Sequence, residues 1–269
     1  MKNLTILSTG VALATVLVLN GCSGSSTTDT TLSGTAIDPE LSGATVCLDL
    51  DKNRVCDANE PTTKTDVAGQ YRLTITSEQH AQTHALLAHG GVDTGTGKAF
   101  SGKLTAVKNA GQTVHNISPL TAMVEARYEY CLTSTTCQET AETIRMELAE
   151  HVELHEAEID ENIVTLANEG NREPLKVALA CQKSAEILDP EDSLKFYRLM
   201  AEKGFAESAT WKEHLDEVVA ASPYADETHA LVSEVMDITT GTAHEIAQQV
   251  QDTILPSIFP TEIPSLPLQ

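Results

Sequence analysis

The sequence predicts an α+β protein in which an N-terminal β-sandwich-like module is followed by an all-α helical bundle. Two patterns predict this order. Between residues 35 and 117, short segments alternate apolar and polar residues, which is typical of half-buried strands. Between residues 118 and 255, apolar residues recur every three or four positions, which is typical of helices with one buried face. The 269 residues suffice for one or two domains with a hydrophobic core.

Residues 1–21 have the pattern of an export signal. Lys2 precedes an apolar run at residues 4–19, and residues 19–22 read LNGC, with a small residue directly before the cysteine. This pattern resembles the lipobox of bacterial lipoproteins, which implies that the signal is removed and that Cys22 is acylated. The apolar run is short for a membrane-spanning helix and lacks a stop-transfer flank. We therefore expect attachment to the membrane through an N-terminal lipid anchor.

Residues 22–34 are rich in Ser, Thr and Gly and predict a flexible tether between the anchor and the folded part. Ser23 stands where an Asp commonly retains lipoproteins in the inner membrane, so the resemblance implies sorting to the outer membrane in a Gram-negative host. We expect the protein in the cell envelope, on the cell surface or facing the periplasm.

Three strands are predicted within the β-rich module, residues 35–117. The alternating apolar residues are Val46, Leu48 and Leu50 in the first strand and Tyr71, Leu73 and Ile75 in the second. A turn between Asp66 and Gly69 leads into the second strand. A third strand is expected within residues 97–107, GKAFSGKLTAV.

An acidic segment follows the first strand, and we call residues 49–60 the acidic loop. Counted from Asp49, oxygen-bearing side chains stand at the first, third, fifth, ninth and twelfth positions. These are the side-chain ligand positions of a twelve-residue calcium loop, whose seventh residue contributes its backbone carbonyl. Short acidic side chains on alternate residues can converge on calcium, which takes roughly 6 to 8 oxygen ligands. The predicted metal ligands are Asp49, Asp51, Asn53, Val55, Asp57 and Glu60.

The sixth position of the acidic loop departs from this pattern. Gly usually occupies it because the chain turns there at positive φ, whereas this sequence has Arg54. Arg54 would adopt that conformation at a cost of about 1 kcal/mol, or the loop would bend differently. A solvated acidic turn that binds no metal therefore stays open as the alternative.

The cysteines of an exported chain predict disulfides. With Cys22 assigned to the lipid, five of the six cysteines remain, so one must stay unpaired. The predicted pairs are Cys47 with Cys56 and Cys131 with Cys137, each closing a short loop. Cys181 lies in an apolar stretch and is predicted to be a buried free thiol. A zinc site is disfavoured because the chain has no CxxC and exported thiols usually pair.

The helical domain, residues 118–255, is predicted to hold six or seven helices. Ser118 suits the N-cap and Pro119 the first position of the first helix. The later apolar stripes span residues 144–152, 175–185, 194–200, 211–218, 231–238 and 246–254. Because short loops join these stripes, we expect antiparallel helices in a bundle.

Residues 256–269 form a Pro-rich tail. Pro256 and three later prolines disfavour a helix there. The tail also carries the apolar residues Ile258, Phe259, Ile263 and Leu266, which would be buried if the tail packs on the helical domain. A disordered tail is the equal alternative.

The charge balance limits the partners. With 17 Lys and Arg against 39 Asp and Glu, the net charge is -22. Nucleic acids and anionic membrane surfaces require basic groups that neutralise phosphates, so the charge argues against both as partners. A soluble exported protein in a medium that contains divalent cations fits this composition.

Residues 42–75 resemble the transthyretin-like or Cna-B-like modules of bacterial surface proteins, including the calcium-binding B repeats of adhesins. In those modules a D-x-D-x-N-x-x-x-D-x-x-E loop precedes a strand that reads T-D-x-x-G-x-Y, and both motifs occur here. The resemblance implies that strands flank the acidic loop, that its acidic side chains bind calcium, and that the module is structural or adhesive.

The sequence contains no recognisable reaction centre, since it has no G-x-S-x-G, phosphate-loop or H-E-x-x-H motif. The predicted function is therefore a non-catalytic, calcium-stabilised surface lipoprotein that binds a protein or glycan partner. Two alternatives stay open. One is a periplasm-facing accessory subunit of an envelope assembly, and the other is an enzyme whose site is not visible in the sequence.

Overall fold

A computed structural model describes residues 29–189, 192–205 and 210–259. The predicted signal peptide, Cys22 and residues 260–269 of the predicted tail lie outside the described residues. Within them, small antiparallel sheets come first and helices dominate from residue 119 onward, so the predicted order of β-rich and helical regions is confirmed. We call residues 29–117 the β-rich part and residues 118–259 the helical part.

The β-rich part contains eight short strands. They are β1 (Thr30–Thr35), β2 (Leu41–Ser42), β3 (Thr45–Asp49), β4 (Thr62–Lys64), β5 (Gln70–Ile75), β6 (His84–His89), β7 (Val92–Asp93) and β8 (Lys103–Lys108). The main sheet has the antiparallel order β4-β3-β6-β8. Two further antiparallel pairs join β1 to β5 and β2 to β7. A short helix, α1 (Ser77–Ala81), connects β5 to β6.

The predicted alternation of apolar residues is confirmed in β5. Tyr71, Leu73 and Ile75 are at most 2% exposed, and the residues between them are exposed. In β3, Val46 and Leu48 enter the same core, and Leu50 packs against its edge. The predicted third strand corresponds to β8, which pairs with β6 and not with β3.

The strand β1 begins inside the segment that the sequence predicts to be a tether. Residues 30–34 pair with β5, and Leu32 is fully buried opposite Leu73. A single apolar residue among threonines gives little local signal, although Thr favours strands. The tether prediction is therefore wrong for residues 30–34.

The helical part holds ten α-helices within the described residues. They are α2 (Pro119–Thr133), α3 (Ala141–His151), α4 (Glu156–Asp160), α5 (Ile163–Asn168), α6 (Glu173–Leu188), α7 (Leu194–Lys203), α8 (Trp211–Val219), α9 (Ala225–Met236), α10 (Ala243–Gln249) and α11 (Leu255–Ile258). A π-helical turn, Val250–Ile254, joins the last two. The short helices α4 and α5 were not predicted.

The helix α2 begins as predicted and connects the two parts of the molecule. The hydroxyl of Ser118 accepts a hydrogen bond from the Thr121 N–H, and Pro119 occupies the first turn. Thr121 Oγ1 in turn donates to the carbonyl of Thr105 in β8 over 3.0 Å. Because α2 is fixed against β8, the Glu125 side chain in its second turn lies close to the β-rich part and is 6% exposed.

A buried ion pair also joins the two parts. Lys183 in α6 places Nζ 3.8 Å from Asp38 Oδ2 and 3.0 Å from Glu186 Oε2. Asp38 follows β1 and is 2% exposed, and its carboxylate accepts no hydrogen bond from any described residue. Burial raises the pKa of Asp38 well above its usual range, and the positive charge of Lys183 offsets part of that shift.

The beginning of the predicted tail is helical, contrary to the expectation from its prolines. Pro256 lies in the first turn of α11, where the missing N–H costs little because a π-helical turn precedes it. Ile258 packs against the helical core, and the Phe259 ring meets Tyr224 edge-on with centroids 6.0 Å apart. Among the described residues, none of the helices has the length and apolarity needed to cross a membrane.

Candidate metal centre

The acidic loop connects two antiparallel neighbours of the main sheet. β3 ends at Asp49, where the loop begins, and β4 begins two residues after the loop ends. Cys47 in β3 forms a disulfide with Cys56 in the loop, with their Cα atoms 5.6 Å apart. The Leu48 N–H donates to the carbonyl of Pro61 over 3.0 Å and closes the base of the loop. The loop is thus held by strands on both sides and tied back to one of them.

Three predicted ligands bring carboxylate oxygens together. Asp49, Asp51 and Glu60 each contribute one oxygen, and these atoms lie within 4.8 Å of one another. Asp49 is fully buried and Glu60 is 7% exposed, whereas Asp51 faces solvent. Converging carboxylate oxygens are the ligands that hard divalent cations prefer.

The Glu60 carboxylate holds the acidic loop in shape. Its Oε1 accepts a hydrogen bond from the Leu50 N–H over 2.6 Å, and its Oε2 accepts one from the Asp57 N–H over 3.1 Å. One side chain therefore joins the first, middle and last parts of the loop. Glu60 would have this structural role with or without a metal ion.

The Asp49 carboxylate is only half satisfied. Its Oδ2 accepts a hydrogen bond from the Arg54 N–H over 3.1 Å. Its Oδ1 is buried and accepts no hydrogen bond from any residue that the structure describes. A buried charged oxygen without a partner is costly, since even a neutral group left unpaired costs about 1–3 kcal/mol. Asp49 therefore has an unused ligand atom beside two other carboxylates.

The remaining predicted ligands lie on the exposed side of the loop. The Asn53 side-chain amide donates to Asp51 Oδ2 over 3.1 Å and to Asp57 Oδ2 over 2.7 Å. Asn53 Oδ1 accepts from the Val55 N–H over 2.7 Å, and the Val55 side chain is half-exposed. The structure thus bridges Asp51 and Asp57 through an amide N–H₂ group, without placing Asp57 in the group of three oxygens.

Arg54 adopts the turn that the loop pattern requires at its sixth position. Its φ is 62°, in the left-handed region where Gly is preferred. Lys52 has the same φ. Both residues are non-glycine, so each adds about 1 kcal/mol of backbone strain that contacts elsewhere must offset.

The Arg54 side chain reaches the helical part, which the sequence did not predict. Its Nη2 lies 2.8 Å from Glu125 Oε1 and makes a second, shorter contact with Glu129 Oε2. The same guanidinium also lies 3.6 Å from Asp49 Oδ2. The Lys103 ammonium in β8 donates to the Arg54 carbonyl over 2.9 Å. The sequence around Arg54 does not indicate these contacts, because Glu125 and Glu129 follow it by 71 and 75 positions.

A second group of potential metal ligands, Cys131, Cys137 and Glu139, has other partners. Cys131 and Cys137 form a disulfide with Cα atoms 4.7 Å apart, so neither sulfur is a thiolate. Arg127 donates to both oxygens of Glu139, at 2.5 and 2.8 Å. These contacts explain why the three side chains lie close together without a metal ion. The remaining described cysteine, Cys181 in α6, is free and 1% exposed.

A buried histidine pair lies in the helical core. His151, at the end of α3, places Nε2 3.1 Å from Nδ1 of His214 in α8. Burial lowers the pKa of His151, and burial together with His151 lowers the pKa of His214 to about 4. Two neutral imidazoles that share a hydrogen bond explain this arrangement, and the described residues offer no third metal ligand to the pair.

Comparisons with known proteins identify no relative of this chain, since no family model, no curated protein and no solved structure matches it.

Proposed function

We propose that this protein is a calcium-stabilised, non-catalytic lipoprotein of the cell envelope. In this proposal the β-rich part is a sandwich-like calcium-binding module, and the helices form a bundle that supports a binding surface. The lipid anchor at Cys22 would attach the protein to the membrane, with surface display favoured over a periplasmic accessory role by the resemblance to adhesin modules.

The unpaired oxygen of Asp49 carries the calcium proposal. A solvated acidic turn would place its carboxylates in water, yet Asp49 is fully buried and its Oδ1 has no protein donor among the described residues. Asp49, Asp51 and Glu60 each place one carboxylate oxygen within 4.8 Å of the others. A divalent cation would satisfy the buried oxygen and remove the repulsion between the carboxylates.

The other loop residues complete the proposed ligand set. Asp57 already lies 2.7 Å from the Asn53 amide, so both side chains are close to Asp51. The carbonyl of Val55 would supply the backbone ligand that calcium loops use at the seventh position. The Cys47–Cys56 disulfide limits the freedom of the loop and so reduces the ordering that the ion must impose.

Calorimetry and thermal unfolding test the calcium site. We expect heat on titration with calcium and a rise in melting temperature, equivalent to about 2.7 kcal/mol at a hundredfold excess over Kd. The variant Asp49→Asn should lose both effects without unfolding. Its side-chain oxygen can still accept from the Arg54 N–H, and its amide can donate towards Asp51 or Glu60.

A matched control removes a charge elsewhere. Glu202, exposed on α7, lies outside the acidic loop, and Glu202→Gln should leave the calcium response unchanged. Absence of heat from the wild-type protein at millimolar calcium would mean that the acidic loop is only a solvated turn.

A polar cleft beside the β1–β5 pair favours a glycan over an apolar peptide as the partner. The cleft has a volume of about 630 Å³, and its lining includes Thr35, Thr63, Lys64, Gln70, Arg72 and Asn116. Within the described residues Arg72 forms no ion pair, although the chain has a net charge of -22. Hydroxyl, amide and guanidinium groups suit the hydroxyl groups of a sugar.

Binding to immobilised acidic and neutral polysaccharides tests this surface. We expect retention on the neutral polysaccharide, because the net charge of -22 repels a polyanion, and loss of retention in Arg72→Gln. Equal retention of the variant would exclude the cleft as the binding surface. Protease treatment of intact cells tests the location, because a surface-displayed protein is digested and a periplasm-facing one survives.

A further inference from the structure

Arg54 is held at three points, each on a different element. Its N–H donates to Asp49 at the end of β3, and its carbonyl accepts from Lys103 in β8. Its guanidinium contacts Glu125 and Glu129, which lie one turn apart on α2. The residue that shapes the middle of the acidic loop therefore also attaches the loop to the helical part.

The contact with α2 is largely removed from solvent. The side chains of Arg54 and Glu125 are 13% and 7% exposed, and that of Glu129 is 29% exposed. Buried charges of this kind need their partners, because removing one leaves the other uncompensated. Arg54 thus neutralises the Glu125 carboxylate, which would otherwise be buried without a positively charged partner.

The charges of this cluster also affect a cation at the loop. One guanidinium and the two α2 carboxylates, Glu125 and Glu129, give a net charge of -1 close to Asp49. With both glutamates present, the cluster attracts a divalent cation. A direct effect of a glutamate charge on the ion does not need Arg54, so repeating the substitution in a chain without Arg54 separates that effect from the docking contact.

We propose that calcium binding by the acidic loop is coupled to the attachment of the loop to α2 through Arg54. The inference rests on the calcium site proposed above. A cation that orders Asp49 also orders the Arg54 backbone, so the guanidinium loses less freedom when it docks on Glu125 and Glu129. Because coupling between two equilibria is reciprocal, these two glutamates are positioning residues that raise the calcium affinity of a loop they do not enter.

A double-mutant cycle in the purified full-length chain tests the coupling, with the calcium Kd measured by calorimetry. Glu125→Gln should raise Kd about fivefold, within the usual range of coupling between sites. In the Arg54→Gln background, the same substitution should change Kd less than twofold, because the connection is already broken. An unchanged Kd in Glu125→Gln, or equal increases in both backgrounds, would overturn the proposal.

Further measurements separate this proposal from the calcium site itself. If Glu125→Gln unfolds, the more exposed Glu129→Gln replaces it in the same cycle. Glu202→Gln removes one negative charge outside the cluster and should leave Kd unchanged. If the wild type binds calcium and Asp49→Asn does not, the proposed calcium site stands. If Glu125→Gln and Glu129→Gln then leave the calcium Kd unchanged, the coupling is rejected. Failure of the wild type to bind calcium would reject both.

Discussion

The imidazole rings of His151 and His214 share a hydrogen bond of 3.1 Å between α3 and α8, and both rings are buried. Burial lowers both pKa values, that of His214 to about 4. As the pH falls, each histidine of the unfolded chain binds a proton near its ordinary pKa of 6.5. In the folded protein the same histidine binds a proton only at lower pH. The stability that this pair contributes is therefore present above pH 6.5 and is lost as the pH falls towards 4.

We predict that the free energy of unfolding falls between pH 6.5 and pH 4.5 by about 1–3 kcal/mol through this pair. Denaturant titrations at a series of pH values measure the slope. His214→Gln should make the slope shallower, whereas His244→Gln, which changes an exposed histidine, should not. An identical slope in wild type and His214→Gln would contradict the assignment.

Glu60→Gln should affect both stability and calcium binding. Both oxygens of Glu60 accept backbone N–H groups, so an amide N–H₂ at one of these positions would face a donor. We expect a loss of about 1–2 kcal/mol even without calcium, in addition to loss of the calcium response. Asp51→Asn likewise places an amide beside the Asn53 donors, but Asp51 is exposed and water can pair with that amide, so this variant should lose mainly the calcium response. Thermal unfolding with and without calcium distinguishes the two patterns.

The two disulfides should differ in their effect on calcium. Replacement of Cys47 and Cys56 by serine should lower stability by about 2–3 kcal/mol and also weaken calcium binding, because the loop becomes freer. Replacement of Cys131 and Cys137 should lower stability by a similar amount without changing the calcium Kd. Calorimetry on the two double variants gives the comparison, and equal Kd changes would argue against a role of the first disulfide in the loop.

Lys183→Met should destabilise the protein by up to about 3 kcal/mol, because Asp38, whose pKa burial already raises, loses its positive neighbour and must be buried protonated or unpaired. Adding Asp38→Asn to that variant should recover part of the loss, since the uncompensated charge is then removed. Chemical denaturation of the two single variants and the double variant measures this interaction. Additive losses would show that the two groups do not compensate each other.

The features that could be predicted from the sequence have local causes. The start of α2 follows from Ser118 and Pro119, because the cap hydrogen bond reaches only to Thr121. The inward face of β5 follows from the alternation of Tyr71 and Leu73. The spacing of acids in the loop likewise placed Asp49, Asp51 and Glu60 in one candidate site, since those residues lie on one short turn.

The features that could not be predicted depend on contacts between distant residues. Nothing near Arg54 indicates that Glu125, 71 residues later, lies against its guanidinium. His151 lies 63 positions before its partner His214, and only the packing of α8 on α3 brings the two rings together. The strand β1 has one buried leucine, and pairing with β5, about 40 residues away, is what makes it a strand.

The burial of Cys181 has a consequence for oxidative folding. Burial raises the pKa of its thiol to about 12, so the folded protein holds almost no thiolate there to attack a disulfide. Until α6 is buried, however, that thiol competes with the four other described cysteines for partners. The order of events thus decides the yield: chains that collapse before oxidation retain correct pairs, and chains that oxidise first are exposed to scrambling and covalent dimers.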